Sequence, residues 1–256
     1  MKVFCIKKKF YVWLNGGVGD QLETASLVLP WSRKYSIELC FLVESSRRPL
    51  IQEIVPNGVQ VIDIDLGRIP VVSQGMAVRQ AVLARYPDSS FQSFLADSCK
   101  CLVEKSGLLC CWKAEGSGNA FSAHSRSVPF ALVQKFYETV LDKFPQISII
   151  DITDWRDWEA AFLAGIKVDL VDPREGRLLD LAREACGRRV ITIDTALAHL
   201  CAACGIPADV LLPRFHDERW FELHRPSNSY GRWLNVWRSP DFGSWDSVIQ
   251  ALCASF

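Results

Sequence analysis

Two rhythms of apolar residues alternate along the 256-residue chain. Short runs rich in β-branched and aromatic side chains read as strands, and longer runs with apolar positions three and four apart read as helices. Residues 10–14 form the first strand-like run, broken by Asn15, Gly16, Gly17, Val18, Gly19 and Asp20 before a helical pattern runs from Gln21 to about Tyr35. Residues 37–43 and 59–64 read as further strands with helical or irregular material between them, and residues 74–105 as mostly helical with a break at 87–90. At Gly107 the pattern restarts. A strand over 108–112 leads into a polar, glycine-rich loop over 113–124, and Pro129 suits the first turn of a helix ending near Lys143. Strands over 147–152, 167–171, 189–193 and 209–212 then alternate with helices over 155–164, 178–186 and 195–204, the last stopped by Gly205.

This alternation predicts an α/β protein with mostly parallel sheets and helices on both faces. The restart predicts two Rossmann-like, doubly wound domains facing a cleft. The first, 1–106, is reduced and strand-poor; the second spans 107–243, and a compact amphipathic helix closes the chain over 244–256. In such an architecture ligands lie at the carboxyl ends of the strands.

Charge and composition narrow the field. Lys+Arg (29) and Asp+Glu (29) cancel, so neutralising a phosphate backbone is not the main task and no nucleic-acid partner is expected. A 49% hydrophobic and 23% charged chain is globular, not disordered. Apolar runs such as 39–43 and 210–212 are too short to cross a bilayer, so no transmembrane segment is expected. The N-terminus places its three lysines after the apolar residues, the reverse of a secretory signal, and the expected compartment is cytoplasmic.

Ten cysteines are many. Cys5, Cys40, Cys186 and Cys253 stand alone in apolar contexts, and the adjacent Cys110 and Cys111 should face opposite sides of a strand. All read as free thiols packed as small hydrophobes in a reducing compartment. Cys201 and Cys204 form a C-x-x-C, but no second pair completes a four-ligand site and the motif falls in an alanine-rich helical run. Core packing is the expectation, and no metal site is expected.

Four segments could carry chemistry. The glycine-rich turn Gly16, Gly17, Gly19 between strand and helix would let backbone N–H groups approach a ligand. It lacks the third glycine of a dinucleotide fingerprint and the Gly-Lys-Ser/Thr of a P-loop. Asp20 closes it, either as a helix cap contributing about 1 kcal/mol or as a carboxylate placed to take a proton from a hydroxyl. In the second segment a strand ends at Ile193 and a helix opens at Asp194 or Thr195, followed by Ala196 and, one turn on, His199. Asp194 would repel a phosphate but could bond sugar hydroxyls, while Thr195 could hold the phosphate. The third is the loop carrying Lys113, Glu115, His124, Arg126 and Ser127, where Arg126 suits a bidentate phosphate contact and would otherwise be a solvated charge. The fourth is the aromatic group Trp220, Phe221, Tyr230, Trp233, Trp237 and Trp245, which suits a sugar or base as well as a core.

In this order the segments resemble the heptosyltransferase-like glycosyltransferases of the GT-B fold (family 9-like), especially the glycosyltransferase modules of tetratricopeptide-repeat proteins. The likeness rests on Gly17-Val18-Gly19-Asp20-Gln21-Leu22-Glu23-Thr24, Arg126-Ser127-Val128-Pro129 and Asp194-Thr195-Ala196-Leu197-Ala198-His199-Leu200. Cys204-Gly205-Ile206-Pro207, Leu211-Leu212-Pro213, Asp217-Glu218-Arg219-Trp220 and Gly243-Ser244-Trp245-Asp246-Ser247-Val248-Ile249 extend it. The likeness is dense from residue 108 onward and reduced to one motif before that. It implies that Asp20 is the general base that deprotonates an acceptor hydroxyl, with inversion at the anomeric carbon. It also implies that Asp194, Thr195, Ala196 and His199 belong to the nucleotide-sugar pocket, with Arg126, and more weakly Lys113, near the leaving diphosphate. No cofactor is implied beyond the nucleotide-activated sugar donor, and no metal cluster such as D-x-D is evident. The first half is about a third shorter than the family usually has, and Ala196 stands where many heptosyltransferases place Gly.

Two functions follow as expectations. One is an inverting, metal-independent glycosyltransferase that moves a sugar from a nucleotide-diphosphate sugar to a hydroxyl of an unidentified glycan, protein or small-molecule acceptor. The other is a non-catalytic binding or scaffolding module on the same fold, motivated by the short first half. A Rossmann-type oxidoreductase is disfavoured because the dinucleotide fingerprint is missing.

Overall fold

The computed structural model describes residues 9–14, 17–64, 105–114, 126–171, 178–214, 216, 220, 231–240 and 244–256. The helical pattern expected over 74–105, apart from the non-helical Lys105, and most of the loop after Lys113 lie outside these residues.

Two parallel sheets organise the chain. The first has the order β1-β2-β3, formed by β1 (Lys9–Trp13), β2 (Glu38–Glu44) and β3 (Gln60–Ile64). Between them run α1 (Val18–Lys34) and the short α2 (Arg48–Ile54). The second sheet contains β4 (Leu108–Cys111), β5 (Ile149–Asp151), β6 (Asp169–Leu170), β7 (Arg189–Ile193), β8 (Ala208–Leu212) and β9 (Leu234–Arg238). Its order is β6-β5-β4-β7-β8-β9, parallel throughout. The helices α3 (Phe130–Lys143), α4 (Asp157–Gly165), α5 (Leu178–Ala185) and α6 (Ala196–Cys204) connect these strands, and α7 (Asp246–Ala254) closes the chain. This is the doubly wound order whose direction reverses between β4 and β7, and a ligand site is expected beyond the carboxyl ends of those two strands.

Alternation along each strand sorts side chains between two cores. Leu108 and Cys110 of β4, with Ile149, Ile191, Ile193 and Leu211, pack against Phe136, Val140, Ile249 and Leu252 of α3 and α7. The opposite face (Leu109, Cys111, Val190, Val210 and Leu212) packs on α6, and that core continues through Leu22, Ala25 and Val28 of α1 into the first sheet. Helix α1 is therefore buried from Gln21 to Leu29, between its own sheet and α6. A half-buried bond ties α2 to α5 as well, from the Leu179 N–H to Glu53 Oε1 at 3.0 Å.

Glycine marks the restart. Gly107 has φ +108°, and a Cβ there would stand 2.1 Å from the Ser148 carbonyl oxygen. Gly205 ends α6 in the left-handed conformation, as its position in the sequence suggested. Cys40, Cys110, Cys111, Cys201, Cys204 and Cys253 are free thiols. Cys201 and Cys204 are buried in α6 as core. Cys186 departs from the expectation: it is disulfide-bonded. Among the described residues, no helix is long and apolar enough to cross a membrane.

Candidate active site

Two strand-to-helix turns meet. In the first, β1 ends and Gly17 sets the N-terminus of α1 in extended backbone, with its N–H donating to Asp20 Oδ2 at 2.8 Å. Asp20 thus caps its own helix while remaining half-buried. Gly16 lies outside the described residues. Gly19 faces the second turn: a Cβ built on it would come within 2.6 Å of His199 Cδ2. Only a glycine allows α1 to approach the imidazole this closely.

The second turn follows β7. Asp194 is 8% exposed and His199 2%. Thr195 is the N-cap of α6, but its hydroxyl pairs with that of Thr192 at 2.9 Å and makes no capping bond. The first N–H groups of α6, beginning at Ala196, therefore lack that side-chain acceptor and stand at the carboxyl end of the sheet, where helix N-termini favour anions. His199 Nε2 lies 3.9 Å from Asp194 Oδ1, and its ring stacks obliquely on Trp220 at 5.4 Å.

Arg126 reaches the same place from the other side of the switch point. Its segment is pinned along the end of β4 by Val128 N–H donating to the Trp112 carbonyl (2.9 Å) and Ala114 N–H donating to Ser127 Oγ (3.1 Å). From there Arg126 Nη1 donates to the Asp194 carbonyl at 3.1 Å and lies 3.4 Å from its Oδ2. The repulsion expected between Asp194 and a phosphate is thus offset by a guanidinium held against it.

Lys113 is engaged elsewhere. Its Nζ donates to Glu159 Oε2 at 2.8 Å and sits 4.2 Å from the centre of the Trp155 ring. Burial alone would raise the Glu159 carboxyl, but hydrogen bonds from Arg156 and Lys113 outweigh it and bring its pKa down to about 2. Beneath this pair lies a fully buried network. Trp112 Nε1 donates to the Tyr137 hydroxyl (2.7 Å), which donates to Asp151 Oδ2 (2.7 Å). Trp155 Nε1 and the Thr153 N–H complete the shell of Asp151 at 2.9 and 2.8 Å. Burial pushes Asp151 up to about 6 despite these donors.

The structure therefore brings together Gly19, Arg126, Asp194, Thr195, Ala196 and His199, with Asp20 one residue beyond Gly19, and ties Lys113 to Glu159. Phe221 and Tyr230 lie outside the described residues, and among those described the aromatic candidates do not form one wall. Trp220 meets His199, Trp237 Nε1 donates to Asp209 at 2.8 Å, and Trp245 is core. Glu159, Trp155 and Asp151 were not singled out from the sequence, although an Asp closing an apolar run after Ile149 and Ile150 is a polar group that needs partners. Among the described residues no cluster of three or more His, Cys, Asp or Glu side chains is arranged to hold a metal.

No family model matches the chain, and no curated protein matches it. Solved structures do. E. coli heptosyltransferase WaaC with ADP aligns over 96% of this chain and 98% of its own, at 13% identity and a TM-score of 0.66. The same enzyme with ADP-2-deoxy-2-fluoro heptose aligns over 96% and 99%, at 13% identity and a TM-score of 0.62. E. coli ADP-heptose lps heptosyltransferase II aligns over 96% of both chains, at 14% identity and a TM-score of 0.63. The fold is that of the GT-B heptosyltransferases. The likeness runs through both sheets, since nearly the whole of each chain is spanned.

Proposed function

We propose that the protein is an inverting, metal-independent glycosyltransferase that takes a sugar from a nucleoside-diphosphate donor to an acceptor hydroxyl. One observation carries the reading: Gly19 against His199 joins the Gly17–Asp20 turn to the Asp194–His199 turn, at the carboxyl ends of strands from both sheets. The shared fold supports it, because the similar E. coli structures are titled with ADP and with an ADP-heptose derivative.

In this reading the donor diphosphate lies at the N-terminus of α6, beside the Arg126 guanidinium. N–H dipoles and a fixed cation there stabilise the charge that grows on the leaving group. The acceptor oxygen attacks the anomeric carbon from the opposite face as the carbon–phosphate oxygen bond breaks. The hydroxyl proton passes to Asp20, and the configuration inverts. Asp20 would have to give up its bond to Gly17 or share an oxygen between the two tasks. Six described free thiols suit a reducing, cytoplasmic setting, whereas the Cys186 disulfide does not.

The Lys113–Glu159 pair favours a second reading, a module that binds a nucleotide without transfer, because it withdraws one candidate cation from the leaving group. Nucleotide release from ADP-, UDP- and GDP-sugars, with and without EDTA, separates the readings. Transfer that persists in EDTA supports the first. Binding without release under every acceptor supports the second.

A further inference from the structure

A cavity of about 510 Å³ opens at the other end of the second sheet, where β7, β8 and β9 begin. Arg188, Arg189, Asp209, Arg232, Trp233 and Asn235 line it. Four strand steps along β7 put it roughly 13 Å from the Asp194 turn, so it is no part of the candidate active site. Its volume falls in the range of small-molecule sites.

Three guanidiniums and one carboxylate line the cavity, and Glu184, outside the lining, lies 3.9 Å from Arg188, so Arg232 is the cation left over. The lining carboxylate is already saturated. Asp209 Oδ2 accepts from Arg189 Nε at 2.8 Å, and Oδ1 accepts from Asn235 Nδ2 and Trp237 Nε1 at 2.7 and 2.8 Å. Arg189 is held further by Ser255 Oγ at 2.8 Å and by the Phe256 ring. Arg188 donates to the Ser106 carbonyl at 2.7 Å, yet its Nε is buried with no acceptor among the described residues. Arg232 is exposed, lies 4.8 Å from the centre of the Trp233 ring, and makes no ion pair among the described residues. A guanidinium stacked on an indole is oriented by it and keeps its in-plane donors for an anion.

We propose that this cavity binds a small organic anion, its terminal phosphate or carboxylate on the Arg232 guanidinium and its carbon body against Trp233. Guanidinium forks match both kinds of oxyanion, so the source is decided by experiment. The full-length chain is titrated calorimetrically with glucose 6-phosphate, glucuronate and neutral glucose. Binding by one or both anions and not by glucose is expected, and which anion binds names the class. Arg232→Ala should weaken it at least tenfold, Arg232→Lys less, and Arg126→Ala not at all. Absence of anion binding up to ~10 mM, equal binding of glucose, undiminished binding in Arg232→Ala, or loss of binding in Arg126→Ala would each overturn the proposal.

Discussion

Gly19 and His199 are in van der Waals conflict for anything larger than hydrogen: a methyl group at position 19 would overlap the imidazole at 2.6 Å. The ring cannot easily step aside, because it is buried and backed by Trp220. Two segments 180 positions apart in sequence are thereby locked into one geometry.

Gly19→Ala should therefore destabilise the fold by about 1–3 kcal/mol, as overpacking does, despite the better helix propensity of alanine. In an His199→Ala background the same substitution should cost nothing or stabilise slightly. Urea unfolding of the four-member cycle measures the coupling; equal costs in both backgrounds would show that the contact is not tight.

The Lys113–Glu159 pair makes a second prediction. Its depressed carboxyl, near 2 when folded against 4.5 unperturbed, stabilises the fold above pH 4.5. That contribution is lost as pH falls toward 2. Glu159→Gln should cost on the order of 1–3 kcal/mol at neutral pH, because it leaves Arg156 and Lys113 without their shared counter-charge. The difference between variant and parent should shrink steadily below pH 4.5. Denaturant midpoints across this range provide the readout.

Asp151 should behave in the opposite sense. Its pKa is raised from 3.8 to about 6 by burial, so the folded state holds the proton more tightly than the unfolded chain. Its contribution is fully present below pH 3.8 and is lost as pH rises through 6. Asp151→Asn removes the titrating group, so the stability difference between parent and variant should change across that window and flatten above it. A difference that stays constant from pH 3.8 to 6 would mean that Asp151 does not titrate there.

Much of this arrangement was legible in the sequence, and the gaps have physical causes. Strand β7 was read at its observed limits, and α6 within one residue, because a bounded β-branched run and a glycine stop are local signals. Strand β9 was missed: Leu234 is buried but Asn235, Val236, Trp237 and Arg238 are not, so the run carries no two-residue alternation. Arg126 and Asp194 could be nominated singly. Their pairing depends on the Val128 and Ser127 bonds that lay residues 126–128 along β4, which no local pattern encodes. Lys113 reads as a phosphate ligand in the absence of Glu159, a residue 46 positions away that turns it aside. Cys186 looked like any other isolated thiol, since pairing is a property of the fold.

The role of Asp20 is where the account is most exposed, since a helix cap and a general base would be written with the same residue. Asp20→Ala is to be compared with the parent for donor affinity and for nucleoside-diphosphate release with acceptor present. If Asp20 takes the acceptor proton, affinity changes little while release falls at least a hundredfold, the scale of general-base catalysis being about 10²–10⁴. Release at the parental rate from a folded Asp20→Ala chain would contradict the account and leave Asp20 as a cap alone.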